Sequence, residues 1–306
     1  MGKAIKPVLL KLILHFSSIF LLLGIVTGRF ARIRLARSIF KPRPDDIFIA
    51  TYPKSGTTLM QMILYQLQSD GAIDFPHINY VSPYLELEFQ KEQGQLLDDL
   101  PSPRYFKTHL TAEELPLDTG RYIYIVRDVR DVAVSAFHHT LLMGGTQGTL
   151  EEFTDMFLSG SKSDQRTILG AGTVSWFDHL ASWWPHRERP NVLCLSYEKM
   201  IVDLEGTVRK VAGFCGFPLR EEDMPRILRN CSLESMKLHA NKFDPRFQYA
   251  RKESQGFIRQ GKAGSGKEHT PRHKEMFEQK LTALASKLGC RTGEPYQEIR
   301  TSLDPG

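Results

Sequence analysis

Residues 54–58, Lys-Ser-Gly-Thr-Thr, have the composition of a loop that binds an anion. Gly56 lets the backbone approach a ligand, Thr57 and Thr58 add hydroxyl donors, and Lys54 adds a cation. The loop is not a Walker A motif, because its lysine precedes the glycine by two residues instead of following it. It therefore predicts binding of phosphate or sulfate oxygens without the metal-binding arrangement of an NTPase.

Lys107 and His109 form a second candidate group. They are two residues apart, so on an extended chain their side chains share a face. A neutral imidazole can take a proton from an acceptor hydroxyl, and a neighbouring lysine can stabilise charge on a group in transfer. A lone histidine is more often structural, but the pair fits a base with an electrostatic partner.

An arginine follows another apolar run. Residues 122–126 (YIYIV) have the pattern of a buried strand, and Arg127 follows directly, with Ser135 about two turns into the next predicted helix. Arg127 therefore leaves the carboxyl end of a strand, where open α/β sheets bind ligands. Its guanidinium suits bidentate phosphate recognition.

These residues need a scaffold in which the strand ends meet. Apolar runs typical of buried strands, such as 47–50 (IFIA), alternate with helical patterns, without a long linker or a repeat. The pattern predicts a single α/β domain over residues 45–306, with a central parallel sheet flanked by helices. Helical spacing of apolar residues from Leu59 to Leu67 places the first helix directly after the anion loop.

Composition excludes several classes of protein. The chain has 306 residues, of which 41% are hydrophobic and 25% charged, so it is not a disordered, collagen-like, coiled-coil or multi-span membrane protein. The net charge of +5 permits an anionic small molecule or a membrane surface as partner and does not require nucleic acid. The four cysteines lack C-x-x-C spacing, which predicts reduced, mostly buried thiols and no zinc site.

Residues 1–44 are expected to form a hydrophobic membrane-anchor helix and a basic linker. The apolar run from Val8 to Gly28 is just long enough to cross a bilayer, and six lysines and arginines follow it by Arg43. The positive-inside rule then predicts a membrane-associated protein whose folded domain faces the cytoplasm. A helix in the membrane interface, a cleaved signal peptide, and a soluble helix on a cytoplasmic protein are the alternatives.

Together, the anion loop, the segment with Lys107 and His109, and the segment that begins at Arg127 resemble the cytosolic sulfotransferase family. Its members carry a similar loop, a Lys-Thr-His motif, and an arginine segment like 127–135 (RDVRDVAVS). The similarity continues at 176–184, at 191–200 and at 259–264 (RQGKAG). It follows the family's order from about residue 46 to about residue 289.

The resemblance implies a P-loop nucleotide-kinase-like fold and transfer of a sulfuryl group from 3′-phosphoadenosine 5′-phosphosulfate (PAPS), without a metal. It implies that the 5′-phosphosulfate is held by Lys54, Ser55, Gly56, Thr57 and Thr58. It implies that the 3′-phosphate is held by Arg127, Ser135, Arg259 and Gly261. Tyr197 would lie beside the adenine. His109 would be the base, with Lys54 and Lys107 stabilising the sulfuryl group.

Some positions depart from the family pattern. Leu59, Leu233 and Gln260 stand where the family commonly has tryptophan, phenylalanine and lysine, which predicts weaker binding of the donor. The family's dimer motif is broken between Lys267 and Glu275, so the oligomeric state stays open.

The acceptor is less defined. Tyr84, Phe137, His138 and Phe153 flank these motifs and could form a partly aromatic pocket, although such residues more often belong to the apolar core. With a membrane anchor, such a pocket favours a small lipophilic acceptor that carries a hydroxyl or an amine. The alternatives are a membrane-tethered PAPS-binding protein without turnover and a nucleotide-kinase-like enzyme.

Overall fold

The structure, a computed structural model, describes residues 40–69, 71–88, 95–145, 148–159, 174–246 and 256–290. The strands are β1 (Ile47–Thr51), β2 (Tyr105–Thr108), β3 (Arg121–Val126) and β4 (Val192–Ser196). The α-helices are α1 (Thr57–Gln68), α2 (Leu85–Glu88), α3 (Gln95–Asp98), α4 (Val129–Leu142), α5 (Leu150–Ser159), α6 (Trp176–Trp183), α7 (Tyr197–Val202), α8 (Leu204–Cys215), α9 (Met224–Cys231), α10 (Leu233–Leu238) and α11 (Pro271–Lys287). Short 3₁₀ turns lie at Ile78–Tyr80, Ala112–Glu114, Trp184–His186, Glu221–Asp223, Ala240–Lys242 and Ser265–Glu268.

The four strands form one parallel sheet in the order β2-β1-β3-β4. Helices cover both faces. Side chains alternate along β1, so that Phe48 packs into one apolar cluster while Ile47 and Ile49 pack into the other. Burial on both faces explains why the strands have continuous apolar sequences. The predicted α/β fold with a parallel sheet is confirmed.

The crossover order brings the carboxyl ends of the strands together. In the register, Ala50 of β1 pairs with Thr108 of β2, and Thr51 pairs with Ile125 of β3. Val126 of β3 pairs with Ser196 of β4. The residues that follow each strand therefore meet at one edge of the sheet.

Several helices begin with an N-cap residue whose hydroxyl or carboxylate side chain accepts a backbone hydrogen bond. Asp128 accepts from the backbone N–H of Arg130 at the start of α4, and Ser196 accepts from the N–H of Lys199 at the start of α7. Such caps satisfy N–H groups that have no partner inside the helix. They fix where each helix begins, directly after a strand end that carries a candidate site residue.

The N-terminal prediction lies mostly outside the described residues. Among the residues that are described, no helix is long and apolar enough to cross a membrane. Phe40 packs edge-on against Phe106, with ring centroids 5.5 Å apart, and the backbone N–H of Arg43 donates to Asp46 at 2.7 Å. The packed structure thus extends to residue 40, and the domain boundary at residue 45 stays a prediction.

Cys194, Cys215 and Cys231 are buried, Cys290 is partly buried, and none of them forms a disulfide among the described residues. The expectation of mostly buried cysteines is confirmed, and their reduced state in solution stays a prediction.

Candidate active site

The anion loop joins β1 to α1 in a left-handed conformation. Lys54 has φ of 71° and Gly56 has φ of 102°, so the backbone turns sharply before the helix begins. The hydroxyl of Thr57 lies 2.7 Å from that of Thr51 at the end of β1. The Ser55 hydroxyl is buried and has no hydrogen-bond partner among the described residues. A buried donor without a partner at a helix start is suited to an anionic oxygen.

His109 follows β2 and is oriented by β1. Its Nδ1 lies 2.8 Å from the carbonyl oxygen of Thr51, which can only accept, so Nδ1 carries the proton. Burial and the nearby charge of Lys107 lower the His109 pKa well below its usual value. The imidazole is therefore neutral, and its Nε2 keeps a lone pair that can accept a proton. This is the arrangement of a general base.

A buried carboxylate holds the backbone of His109. The backbone N–H of His109 donates to Glu86 at 2.6 Å. Burial raises the Glu86 pKa to about 7, while the hydrogen bond from His109 and the charge of Lys107 act against that rise. Glu86 thus links α2 to the end of β2. No local pattern of residues predicts this contact.

Two lysines add positive charge beside the base. The Lys54 pKa is lowered to about 7 by burial and by Lys107, Arg127 and Arg259. Burial also lowers the pKa of Lys107, whose ammonium lies 4.7 Å from the ring centroid of Tyr84. A lysine whose pKa is lowered by three neighbouring cations lies in a region that favours a bound anion.

Arg127 leaves β3 and reaches the anion loop. Its Nη1 donates to the carbonyl of Lys54 at 2.9 Å and its Nη2 to the carbonyl of Lys262 at 3.3 Å. The guanidinium lies 4.3 Å from the ring centroid of Tyr197. Its Nε is buried without a partner among the described residues. Arg127 therefore holds two loops together and keeps one donor unused.

The C-terminal loop is fastened to α4 by a carboxylate. Asp131 accepts from the backbone N–H of Gly264 at 2.8 Å and from that of Gly266 at 2.6 Å. In the same loop Arg259 donates to Ser265 at 3.3 Å. Because Asp131 stands one turn after Arg127, this contact brings Arg259 to the side of the site that Arg127 occupies.

These segments surround one cavity of about 620 Å³. With the exception of Ser55, every predicted site residue lines it: Lys54, Gly56, Thr57, Thr58, Lys107, His109, Arg127, Ser135, Tyr197, Arg259 and Gly261. Leu59, Leu233 and Gln260, the three departures from the family pattern, also line it. Ser55 is buried just outside the lining.

Of the four candidates for an acceptor pocket, one lines the cavity, and two belong to the core that was the alternative for them. Tyr84 lines the cavity, but Phe137, His138 and Phe153 do not. Phe137 and Phe153 pack against each other in the apolar core, with ring centroids 5.5 Å apart. Other residues that line the cavity were not predicted from the sequence: His77, His139, Met143, Phe243 and Phe257. Helical spacing could have found His139, since it lies one turn after Ser135 on α4.

Among the described residues, no group of three or more His, Cys, Asp or Glu side chains has the arrangement of a metal site. Lysine and arginine side chains supply the positive charge around the described part of the cavity.

The family model of the sulfotransferase domain matches residues 44–288. The chain belongs to this family. Among curated relatives, the amine sulfotransferase of Oryctolagus cuniculus is 32% identical to this chain over 263 residues, which cover 78% of this chain and 80% of the relative. The luciferin sulfotransferase of Photinus pyralis is 35% identical to this chain over 226 residues, which cover 65% of this chain and 58% of the relative.

Solved structures agree with the fold. Retinol dehydratase in a complex with retinol and PAP has a TM-score of 0.69 at 26% identity, covering 86% of this chain and 88% of that one. Mouse SULT7A1 complexed with PAP has a TM-score of 0.67 at 24% identity, covering 90% and 94%. The second match concerns the fold alone. These findings confirm the family resemblance, and they do not favour the alternatives of a nucleotide kinase or a binding protein without turnover.

The sulfotransferase uses PAPS as co-substrate. The residues present fit that group, because the cavity has a cationic wall, and because Arg127 Nε and Ser55 Oγ, on and just outside its lining, are buried donors that lack partners among the described residues. Phosphate and sulfonate oxygens are the acceptors such donors require.

Proposed function

We propose that this domain transfers the sulfuryl group of PAPS to a hydroxyl of a small lipophilic acceptor, with His109 as the general base. The observation that carries the proposal is the orientation of His109. Its Nδ1–H donates to the Thr51 carbonyl at 2.8 Å, so the proton-accepting Nε2 belongs to a ring that lines the same cavity as Lys54 and Lys107.

In an in-line transfer, different residues accept the proton and stabilise the charge. When bound, PAPS supplies an activated sulfuryl group whose sulfur is attacked by the acceptor oxygen. The new O–S bond forms as the bridging S–O bond to the phosphate breaks, and His109 Nε2 takes the hydroxyl proton. Lys107 and Lys54 stabilise the charge on the transferring group and on the departing phosphate. Positioning and cationic stabilisation supply most of the acceleration, as in phosphoryl transfer.

The donor is held by two groups of residues in this proposal. The loop residues Lys54, Ser55, Gly56, Thr57 and Thr58 bind the 5′-phosphosulfate, supported by the left-handed turn and the helix start. The 3′-phosphate is bound by Arg127, Ser135, Arg259 and Gly261, and Tyr197 lies beside the adenine. Support comes from their shared position on the cavity wall and from the Nε of Arg127, which has no hydrogen-bond partner among the described residues.

The acceptor class rests on the apolar part of the cavity. Tyr84, Met143, Phe243 and Phe257 line it together with His109. Such a wall binds apolar molecules and orients them through a few polar groups. The similar retinol dehydratase was solved with retinol and with androsterone, which supports a small lipophilic acceptor here. We also propose that the apolar segment at residues 8–28 holds the domain at a membrane, on its cytoplasmic side, where lipophilic acceptors concentrate.

The variant His109→Asn tests the base. Turnover of a lipophilic phenol should fall by roughly 10²–10⁴-fold, the usual contribution of a general base, while PAP binding measured by calorimetry stays unchanged. The matched control is His186→Asn, on the 3₁₀ turn Trp184–His186 away from the cavity, which should retain full turnover. Normal turnover in His109→Asn would remove His109 from the reaction. Failure of the native protein to bind PAP would refute the donor assignment itself.

A further inference from the structure

His139 is a polar side chain in the apolar part of the cavity. It stands on α4 four residues after Ser135 and four before Met143, and all three line the cavity. Residues at this spacing lie on one face of a helix. His139 therefore lies between the proposed donor site and the region lined by Met143, and the mechanism above gives it no task.

The surroundings of His139 place it on the side of the reacting groups. Its ring centroid lies 6.1 Å from that of Phe257, and the ammonium of Lys54 lies 5.1 Å from the same ring. Burial and the charges of Lys54 and Lys107 lower the His139 pKa to about 2. The ring is consequently neutral at physiological pH and does not act as a cation toward an acidic acceptor.

One ring nitrogen of His139 has no hydrogen-bond partner within the described part of the chain. Its Nδ1 is buried and has no partner there. A neutral imidazole carries one N–H and one lone pair. A buried N–H without a partner is rarer in proteins than an acceptor without one, which favours the lone pair on Nδ1 and the proton on Nε2. Nε2–H is then a donor on a ring that forms part of the cavity wall.

We propose that His139 hydrogen-bonds a second polar group of the acceptor, so that the preferred acceptors carry a carbonyl or hydroxyl oxygen in addition to the hydroxyl that is sulfonated. The inference rests on the proposed function and narrows its substrate class. A polar group in an apolar wall discriminates strongly between ligands, because an acceptor without the matching oxygen leaves the buried donor unpaired. His139 is thus a specificity-determining residue.

A series of phenols tests the inference. One set carries a straight alkyl chain in the para position, and the matched set replaces one chain methylene by a carbonyl, moved stepwise along the chain. For at least one carbonyl position, the native protein should show a kcat/KM about tenfold or more above that of the isosteric alkyl phenol. His139→Phe keeps a planar ring and removes the polar atoms, so that this preference should fall to about one, since the donor is gone.

Two further variants separate a polar role from a structural one. His139→Gln retains a side-chain donor and should restore part of the preference, which a merely structural role would not do. His138→Phe makes the same substitution at the neighbouring position, which does not line the cavity, and should leave the preference intact. PAP binding by calorimetry should be unchanged in all three variants.

The outcomes distinguish this inference from the proposed function. Phenols turned over without any carbonyl preference, or a preference that persists in His139→Phe, would overturn the role of His139 alone. No turnover of any phenol, with PAP still bound, would overturn the lipophilic acceptor class and the inference together. Loss of PAP binding in the native protein would overturn the proposed function.

Discussion

At the scale of single residues, the charge of Lys54 depends on what fills the cavity. Its pKa is about 7 because the side chain is buried beside Lys107, Arg127 and Arg259. The amine is therefore about half-protonated near pH 7. A bound phosphate favours the charged form and raises this pKa, so we expect PAP binding to take up a proton. Above pH 7 the amine must be protonated on binding, and affinity should fall by up to about tenfold per pH unit. Below pH 7 this contribution should level off.

Calorimetry in two buffers of different ionisation enthalpy measures the proton uptake directly. Lys54→Met should bind PAP more weakly and should lose most of the uptake. Lys237→Met is the control, because Lys237 is exposed on α10 and away from the cavity, and it should behave as the native protein. Uptake that is unchanged in Lys54→Met would assign the proton to another group, such as Lys107.

At the scale of elements, the start of α1 depends on a glycine. Gly56 has φ of +102°, and a Cβ built on it would lie 2.6 Å from Cδ2 of Tyr197. Gly56→Ala therefore combines a left-handed backbone with a clash against the first residue of α7. We expect it to lower the free energy of unfolding by roughly 1–3 kcal/mol and to weaken PAP binding, since the loop must move.

Gly213→Ala is the matched control for this prediction. Gly213 lies on the exposed face of α8, and a Cβ there meets no atom of the described residues within 4 Å. Alanine in a helix should stabilise the protein by about 0.5–1 kcal/mol and leave PAP binding unchanged. Urea unfolding compares both variants with the native protein. An equal change in the free energy of unfolding of the two variants would show that helix propensity alone determines the change at Gly56.

Local patterns predicted the elements that carry the site. Continuous apolar runs identified β1 and β3, and the alternation of an extended chain correctly put Lys107 and His109 on one wall of the cavity. Contacts between distant residues were beyond such patterns. The bond from His109 to the Thr51 carbonyl joins residues 58 apart, and it depends on the pairing of β1 with β2. The sequence left the place of Phe137 open, because an aromatic side chain on α4 can face either the core or the cavity.

At the scale of the whole molecule, a buried ion pair that stabilises the fold and the cavity that carries the proposed chemistry lie at opposite ends of the sheet. Asp46 and Arg104 precede β1 and β2, at the amino ends of the strands, whereas the cavity lies at the carboxyl ends. Arg104 is buried and donates to both carboxylate oxygens of Asp46, at 2.7 and 2.6 Å. It also donates to the carbonyls of Leu97 and Lys41, at 3.0 and 3.1 Å. One side chain thus joins the start of the domain to two strands.

Arg104→Met should lower the free energy of unfolding by about 3–5 kcal/mol, because it leaves the Asp46 carboxylate buried without its partner. Arg220→Met is the control, since Arg220 pairs with Asp223 on the surface at 69% exposure, and it should cost about 0–1 kcal/mol. Adding Asp46→Leu to Arg104→Met should recover much of the loss, because the unpaired charge is removed. Below its unfolding temperature, Arg104→Met should keep the native kcat. A kcat that falls together with stability would instead couple the amino ends of the strands to the site.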